Sequence, residues 1–211
     1  ATEDPLQRKG KPYFARIITG FTKPKKPILG TEFAGEIDEA GKDVRQFKKG
    51  DEIFGSTGSN FGCYAEYVCI PANGLLSIKP PKMSNEEATP VCSALTAWNF
   101  LIVQANIRRG QEILINGASG SVGSAAVQIA KFFGAEVTGV CSTANLEIVK
   151  SLGADRVIDY KNEDFTQNGQ TYDIIFDVAG KRTFPVCKNS LKHGGIYLNP
   201  VLTFSVVIQM L

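Results

Sequence analysis

The chain has 211 residues, 43% of them hydrophobic and 21% charged, with a formal net charge of +2. That length can bury a substantial core in one large domain or two modest ones, and the composition fits a soluble globular protein. The weak net charge argues against a strong draw to nucleic acid or acidic membrane, and no apolar run is long enough to span a bilayer.

Residues 1 to about 27 read as a basic, loop-like stretch, with Lys23-Pro24-Lys25-Lys26-Pro27 as its most linker-like piece. Short and broken by proline, this run reads as a solvated loop more readily than as a nucleic-acid patch. From Gly30 to about Ser77 the pattern predicts short β runs broken by glycine: Phe33 to Ile37, Asp51 to Phe54 and Tyr64 to Ile70. Such spacing suggests a small, strongly bent β barrel. After Pro80-Pro81, Ser84 is placed to cap a helix that carries Glu86 and Glu87 in its first turn. A second helix is predicted from about Ser93 to Gln104.

The most informative stretch is Ile113-Leu114-Ile115-Asn116-Gly117-Ala118-Ser119-Gly120-Ser121-Val122-Gly123. It reads as a buried strand, a tight glycine turn and the start of a helix at about Ser121. Val122, Ala125, Ala126, Ile129 and Phe133 recur at helical spacing, and Gly134 supplies the stop. The first amides of a helix lack intrahelical partners and point at such a turn, which makes a site for the pyrophosphate of a dinucleotide. Against the pattern G-x-G-x-x-G the three places read Ala118, Gly120 and Gly123. Ala118 departs from the first glycine, and Gly117 beside it can relax the turn. Taken alone, the pattern is a weak signal, and a turn that only lets helix pack on strand is its other, lesser reading.

Beyond it, strands are predicted at Glu136 to Cys141, Arg156 to Asp159, Tyr172 to Asp177 and Gly195 to Leu198, with a helix from Asn145 to Leu152. Alternating strands and helices imply an α/β doubly wound parallel sheet of order 3-2-1-4-5-6, whose sixth strand is not in the sequence. The chain begins without Met and stops on the apolar segment Phe204 to Leu211, so both ends read as cut. Cys63, Cys69, Cys92, Cys141 and Cys187 follow no disulfide or zinc spacing and read as reduced thiols, which favours the cytoplasm. An organellar targeting peptide lost with the N-terminus is the alternative.

These pieces resemble the medium-chain dehydrogenase/reductase superfamily, in its zinc-free quinone oxidoreductase branch. The resemblance rests on Pro27-Ile28-Leu29-Gly30-Thr31-Glu32-Phe33-Ala34-Gly35, Phe47-Lys48-Lys49-Gly50-Asp51-Glu52-Ile53-Phe54-Gly55 and Tyr64-Ala65-Glu66-Tyr67-Val68. It rests also on Leu95-Thr96-Ala97-Trp98, the glycine turn, Leu152-Gly153-Ala154-Asp155 and Val157-Ile158-Asp159-Tyr160. It implies a GroES-like β-barrel substrate domain over residues 1–84 and a Rossmann NADP-binding domain over 85–211, both incomplete, with the active site in the cleft between them. It implies cofactor contacts at Thr96, Ala118, Ser119, Gly120, Ser121, Val122, Gly123, Asp177 and Val178, and a homodimer. Tyr13 and Phe14 fall where this branch has aromatic residues near the substrate; core or surface packing is the other reading of them.

Zinc-dependent relatives have His at the place of Thr31 and a cysteine near that of Asp4, and Cys92 alone cannot hold a catalytic zinc. The expectation is therefore no metal. His193, the only histidine, reads as part of a surface turn. An NAD-selective fold places an acid at the end of the second strand to grip the ribose 2′-hydroxyl. Here that place reads Cys141-Ser142-Thr143, whose hydroxyls leave room for a 2′-phosphate, with Tyr160 and Lys161 nearby as its support. The expected cofactor is NADPH. Without a metal to polarise an alcohol or ketone, the expected substrate is a small quinone or α,β-unsaturated carbonyl, with no nucleic-acid or membrane partner. A zinc-free alcohol dehydrogenase and a non-catalytic NADPH-binding protein remain the alternatives.

Overall fold

A computed structural model describes Lys9, Gly20 and residues 25–200 of the chain. Two compact units divide it, Ala1–Cys92 and Ser93–Leu211. In the first unit, β1 (Glu32–Glu36), β2 (Glu52–Ser56) and β3 (Leu75–Ile78) form an antiparallel sheet in the order β1-β2-β3. Phe33 faces Gly55 across the first pair and Phe54 faces Ser77 across the second. The first two strands fall within a residue or two of the sequence expectation.

The third expected strand is corrected. Tyr64 to Ile70 holds no strand, and β3 lies further on, at Leu75–Ile78. The start of the apolar stretch is bound elsewhere: Gly62, Cys63 and Tyr64 donate their amides to the carbonyls of Ile28, Gly30 and Leu29. Tyr64 and Tyr67 are exposed, so the run that resembled a strand covers no buried face. The strand that does pair with β2 follows the turn in which Gly74 donates to Pro71. Ser84 caps α1 (Asn85–Ala88) as expected, through a reciprocal box. Glu87 N–H donates to Ser84 Oγ at 3.2 Å, and Ser84 N–H to Glu87 Oε2 at 2.9 Å.

The second unit is built on five parallel strands, β4 (Glu112–Asn116), β5 (Glu136–Cys141), β6 (Arg156–Asp159), β7 (Tyr172–Asp177) and β8 (Leu191–Leu198), in the order β6-β5-β4-β7-β8. Numbered within the unit this is 3-2-1-4-5, the expected order for the strands present. Helices cover both faces, so β4 is buried on both sides and reads as a continuous apolar run. Ile113 and Ile115 join one core cluster with Ala126, Val127, Ala130 and Phe176, while Leu114 joins the other with Val140, Ile158 and Phe165.

Helix α2 (Val91–Trp98) runs into a π-helical stretch, Asn99–Gln104, and together they begin two residues before the predicted helix. Helix α3 (Ser121–Phe132) starts where the sequence placed it. Its buried stripe is Gly123, Ala126, Val127 and Ala130; Val122, Ala125, Ile129 and Phe133 pack at its margins. The small residues bring the helix axis close to the sheet, and the larger ones fill the flanks. A 3-10 turn, Thr143–Asn145, precedes α4 (Leu146–Ser151).

Two elements differ from expectation. Strand β8 begins at Leu191 and not at Gly195, so His193 sits exposed near the start of a strand rather than in a turn before it. The short α5 (Phe184–Cys187) was not anticipated, since four residues are too few to show a period. Among the described residues, no helix is long and apolar enough to cross a membrane.

Candidate functional site

The C-terminal ends of the parallel strands gather most of the residues singled out in the sequence. At the end of β4 the chain turns sharply at Gly117, whose φ of +91° lies in the left-handed region. The strain of the turn therefore falls on Gly117, which lets Ala118 stand where the pattern has its first glycine. Gly117 and Ala118 both donate their amides to the carbonyl of Val140 at 3.0 Å, and Gly120 donates back to Gly117 at 3.0 Å. Gly120 is the extended N-cap of α3, with no side-chain cap bond. At Gly123 a Cβ would lie 2.1 Å from the Gly117 carbonyl oxygen. Only a glycine lets the first turn of α3 close down on the loop.

The amides of Ser121, Val122 and Gly123 open α3 and have no carbonyl four residues back within the helix. With the helix dipole and the hydroxyls of Ser119 and Ser121, they form a donor set that suits a pyrophosphate. Ser93, on α2, places its hydroxyl 3.3 Å from Ser121 Oγ. Thr96 lies one helical turn further along α2, half-buried. Ser93 was missed, though its spacing of three from Thr96 puts both on one helix face.

The second part of the candidate site lies at the end of β5. Ser142 is the extended residue that opens the 3-10 turn, and it makes no side-chain cap bond. Asn145 Nδ2 instead bridges the two loops, donating to Ser119 Oγ at 3.0 Å and to Ser142 Oγ at 3.2 Å. Ser142 accepts there and keeps its own proton to donate. Thr143 differs: its hydroxyl donates to Asp159 Oδ2 at 2.6 Å. Asp159 ends β6, level with Cys141 in the register, and Tyr160 donates its amide to the Cys141 carbonyl at 3.1 Å. Tyr160 is exposed and Lys161 follows it. The sequence reading named Tyr160 and Lys161 but passed over Asp159 and Asn145; the level ends of adjacent strands were the available signal.

Asp177 ends β7, across the switch point from Asn116 at the end of β4, and is fully buried. Its Oδ1 accepts from Asn116 Nδ2 at 2.8 Å and from Gly180 N–H at 3.1 Å, and its Oδ2 from Arg182 N–H at 2.9 Å. The Tyr197 hydroxyl lies 3.3 Å from Oδ2 and donates to the Arg182 carbonyl at 3.0 Å. Asp177 thus shapes the loop after β7 from within. That loop abuts the glycine turn: a Cβ on Gly117 would meet Ala179 at 3.2 Å and Val178 at 3.3 Å. Burial, and then the charge of Asp177, pushes the Tyr197 phenol up. Burial likewise pushes the Cys187 thiol up to about 11, with Asp177 adding to it.

His193 lies near the start of the edge strand β8, whereas the glycine turn follows the end of the central strand β4. In the first unit Cys92 is half-buried, and burial raises its thiol pKa, with Glu32 and Cys63 contributing. Among the described residues no group of three His, Cys, Asp or Glu side chains is arranged to hold a metal ion. Tyr13, Phe14 and Asp4 lie outside the described residues.

A parallel sheet with a glycine turn and a helix N-terminus at its switch point gives the second unit a Rossmann-like fold, an arrangement that suits a dinucleotide. Comparison with known proteins agrees. Residues 7–80 match the alcohol dehydrogenase GroES-like domain, and residues 121–198 match the zinc-binding dehydrogenase family. The chain is 36% identical over 182 residues to a trans-enoyl reductase of Aspergillus terreus, a match covering 82% of this chain and 50% of that protein. The quinone oxidoreductase of Coxiella burnetii superposes with a TM-score of 0.84 at 31% identity, over 99% of this chain and 66% of that one. The Escherichia coli quinone oxidoreductase, solved in complex with NADPH, superposes with a TM-score of 0.76 at 26% identity, over 92% and 64%. The relatives include chloroplastic and mitochondrial proteins. The chain belongs to the medium-chain dehydrogenase/reductase superfamily, in its quinone oxidoreductase-like branch. It spans about half the length of the first curated relatives it matches.

Proposed function

We propose that the protein is an NADPH-dependent reductase of quinones or α,β-unsaturated carbonyls that works without a metal. The observation that carries the proposal is the paired arrangement at the C-terminal ends of β4 and β5. The start of α3 offers backbone amides to a pyrophosphate, and Asn145 ties that loop to Ser142, a hydroxyl free to donate to a 2′-phosphate. The names of the relatives support the substrate class, and the NADPH complex of the Escherichia coli protein supports the cofactor. Bound there, the nicotinamide supplies the hydride.

The chain's own part is binding and placement. The amides of Ser121 to Gly123 neutralise the pyrophosphate, Ser142 and Lys161 receive the adenosine phosphate, and the loop held by Asp177 packs Val178 against the glycine turn. Metal independence is supported by the residues present: Thr31 and Cys92 do not make a catalytic zinc set. A reducing compartment such as the cytoplasm suits the five unpaired thiols.

Reduction of an enone with 4-deuterated NADPH tests the reaction. Deuterium on the β-carbon is expected. Label only on a carbinol carbon would support alcohol dehydrogenase chemistry, and binding without turnover on any enone or quinone would support a non-catalytic role; either defeats the proposal. Stoichiometric zinc in elemental analysis of the active protein would defeat its metal-free part.

A further inference from the structure

The end of β5 lacks the acid that would select an unphosphorylated ribose, yet the fold brings one to the same place from the neighbouring strand. We propose that Asp159, at the end of β6, opposes the 2′-phosphate beside Ser142, Thr143 and Lys161 and so holds down the preference for NADPH over NADH. The inference rests on the placement of the adenosine phosphate given above.

The geometry fixes the carboxylate firmly. Thr143 Oγ1 donates to Asp159 Oδ2 at 2.6 Å, Asn162 Nδ2 to the same oxygen at 2.9 Å, and Lys161 N–H to Oδ1 at 3.0 Å. All three donors are neutral. They orient the carboxylate without cancelling its charge. The Thr143 hydroxyl, and then the Lys161 amide, hold the Asp159 pKa below the usual carboxylate range, so the group is ionised at neutral pH.

Two consequences follow for an anion arriving at this corner. A hydroxyl has one proton, and that of Thr143 is committed to Asp159, so only Ser142 of the pair is left to donate. The ammonium of Lys161 shares its attraction between Asp159 and the phosphate, which weakens its hold on the phosphate. A ribose 2′-hydroxyl meets no such opposition. It can donate to the carboxylate, whose two oxygens together offer about four acceptor positions. The charges of Lys161 and Asp159 nearly balance, so the corner is close to neutral where a strongly NADPH-selective site would be positive.

A purely structural role for Asp159 has a basis too, because its carbonyl accepts from the amides of Asn162 and Glu163 and closes the turn after β6. The two roles separate in the ratio of affinities. Dissociation constants for NADPH and NADH are measured by titration for the unmodified protein, Asp159→Asn and Asp159→Glu, with the melting temperature of each. The inference expects Asp159→Asn to tighten NADPH about 3- to 30-fold, with NADH unchanged or weaker, and Asp159→Glu to keep the original ratio. An unchanged ratio in Asp159→Asn, whether or not both affinities fall, would overturn it. Should Asp159→Asn fail to fold, salt dependence of the unmodified protein decides. A near-neutral corner gives an NADPH/NADH affinity ratio that is flat from about 0.05 to about 0.5 M salt. A ratio that falls severalfold with salt would show a net positive corner and overturn the inference. Failure of the unmodified protein to bind either nucleotide would instead defeat the reading of the site itself.

Discussion

Gly123→Ala separates two opposing effects whose sizes can be worked out beforehand. Gly123 lies in the first turn of α3 with ordinary helical backbone, and helix propensity alone makes alanine the better residue there by about 1 kcal/mol. The added Cβ, however, would stand 2.1 Å from the Gly117 carbonyl oxygen and 2.9 Å from both the Gly117 carbonyl carbon and Ala118 Cα. All three are backbone atoms, so no rotamer change relieves the contact. The start of the helix must move away from the turn by about 1 Å to reach normal separation. Overpacking of this kind costs about 1–3 kcal/mol, and contact with rigid backbone belongs at the upper end. The net is about 2 kcal/mol of destabilisation, a fall in melting temperature of roughly 4–8 °C for a chain of this size. The expected effect on binding is larger, because the displaced amides are the ones proposed to meet the pyrophosphate, and a misplacement of this size costs about 10- to 100-fold. Calorimetry and titration with NADPH and NADH check both numbers, and both cofactors should weaken alike. A variant that melts higher than the original and binds NADPH as well would show that helix propensity prevails and that the close approach at Gly123 carries no function.

Ser142→Asp should weaken NADPH by one to three decades, about 1–4 kcal/mol of repulsion in a partly solvated pocket, while NADH holds steady or improves. Titration of both cofactors reads this, and an equal loss for both would mean a damaged loop and no phosphate at Ser142. Asp155 is pushed up by burial, but the Lys131 ammonium at 2.8 Å and the Val137 amide at 2.7 Å outweigh this and hold its pKa below the usual range. A lowered folded pKa gives stability that is present above the unfolded value of about 3.9 and lost as pH falls through the folded one. Asp155→Asn should therefore flatten the loss of stability between about pH 5 and pH 3, measured by urea unfolding; parallel curves for the two proteins would refute the assignment.

The elements with long or repeated local signals were readable from the residues alone. Strands β5, β6 and β7 lie where the sequence placed them, and the buried runs Val137 to Cys141 and Ile174 to Phe176 are what a strand covered on both faces requires. The turn at Gly117 and the start of α3 at Ser121 follow from glycine's freedom at positive φ and the backbone's need for a close approach, both local properties. Tyr64 to Ile70 shows where such reading ends. Its tyrosines, Val68 and Ile70 suit a strand, but strand formation needs a partner and a face to bury, and tertiary structure gave the partner β2 to Leu75–Ile78 instead. The site divides in the same way. Ser142, Tyr160 and Lys161 could be named from their positions after strands, whereas the 2.6 Å bond from Thr143 to Asp159 and the bridge of Asn145 join residues 16 and 26 positions apart. The charge at that corner is the sum over two strand ends, and only the pairing of β5 with β6 brings those ends together.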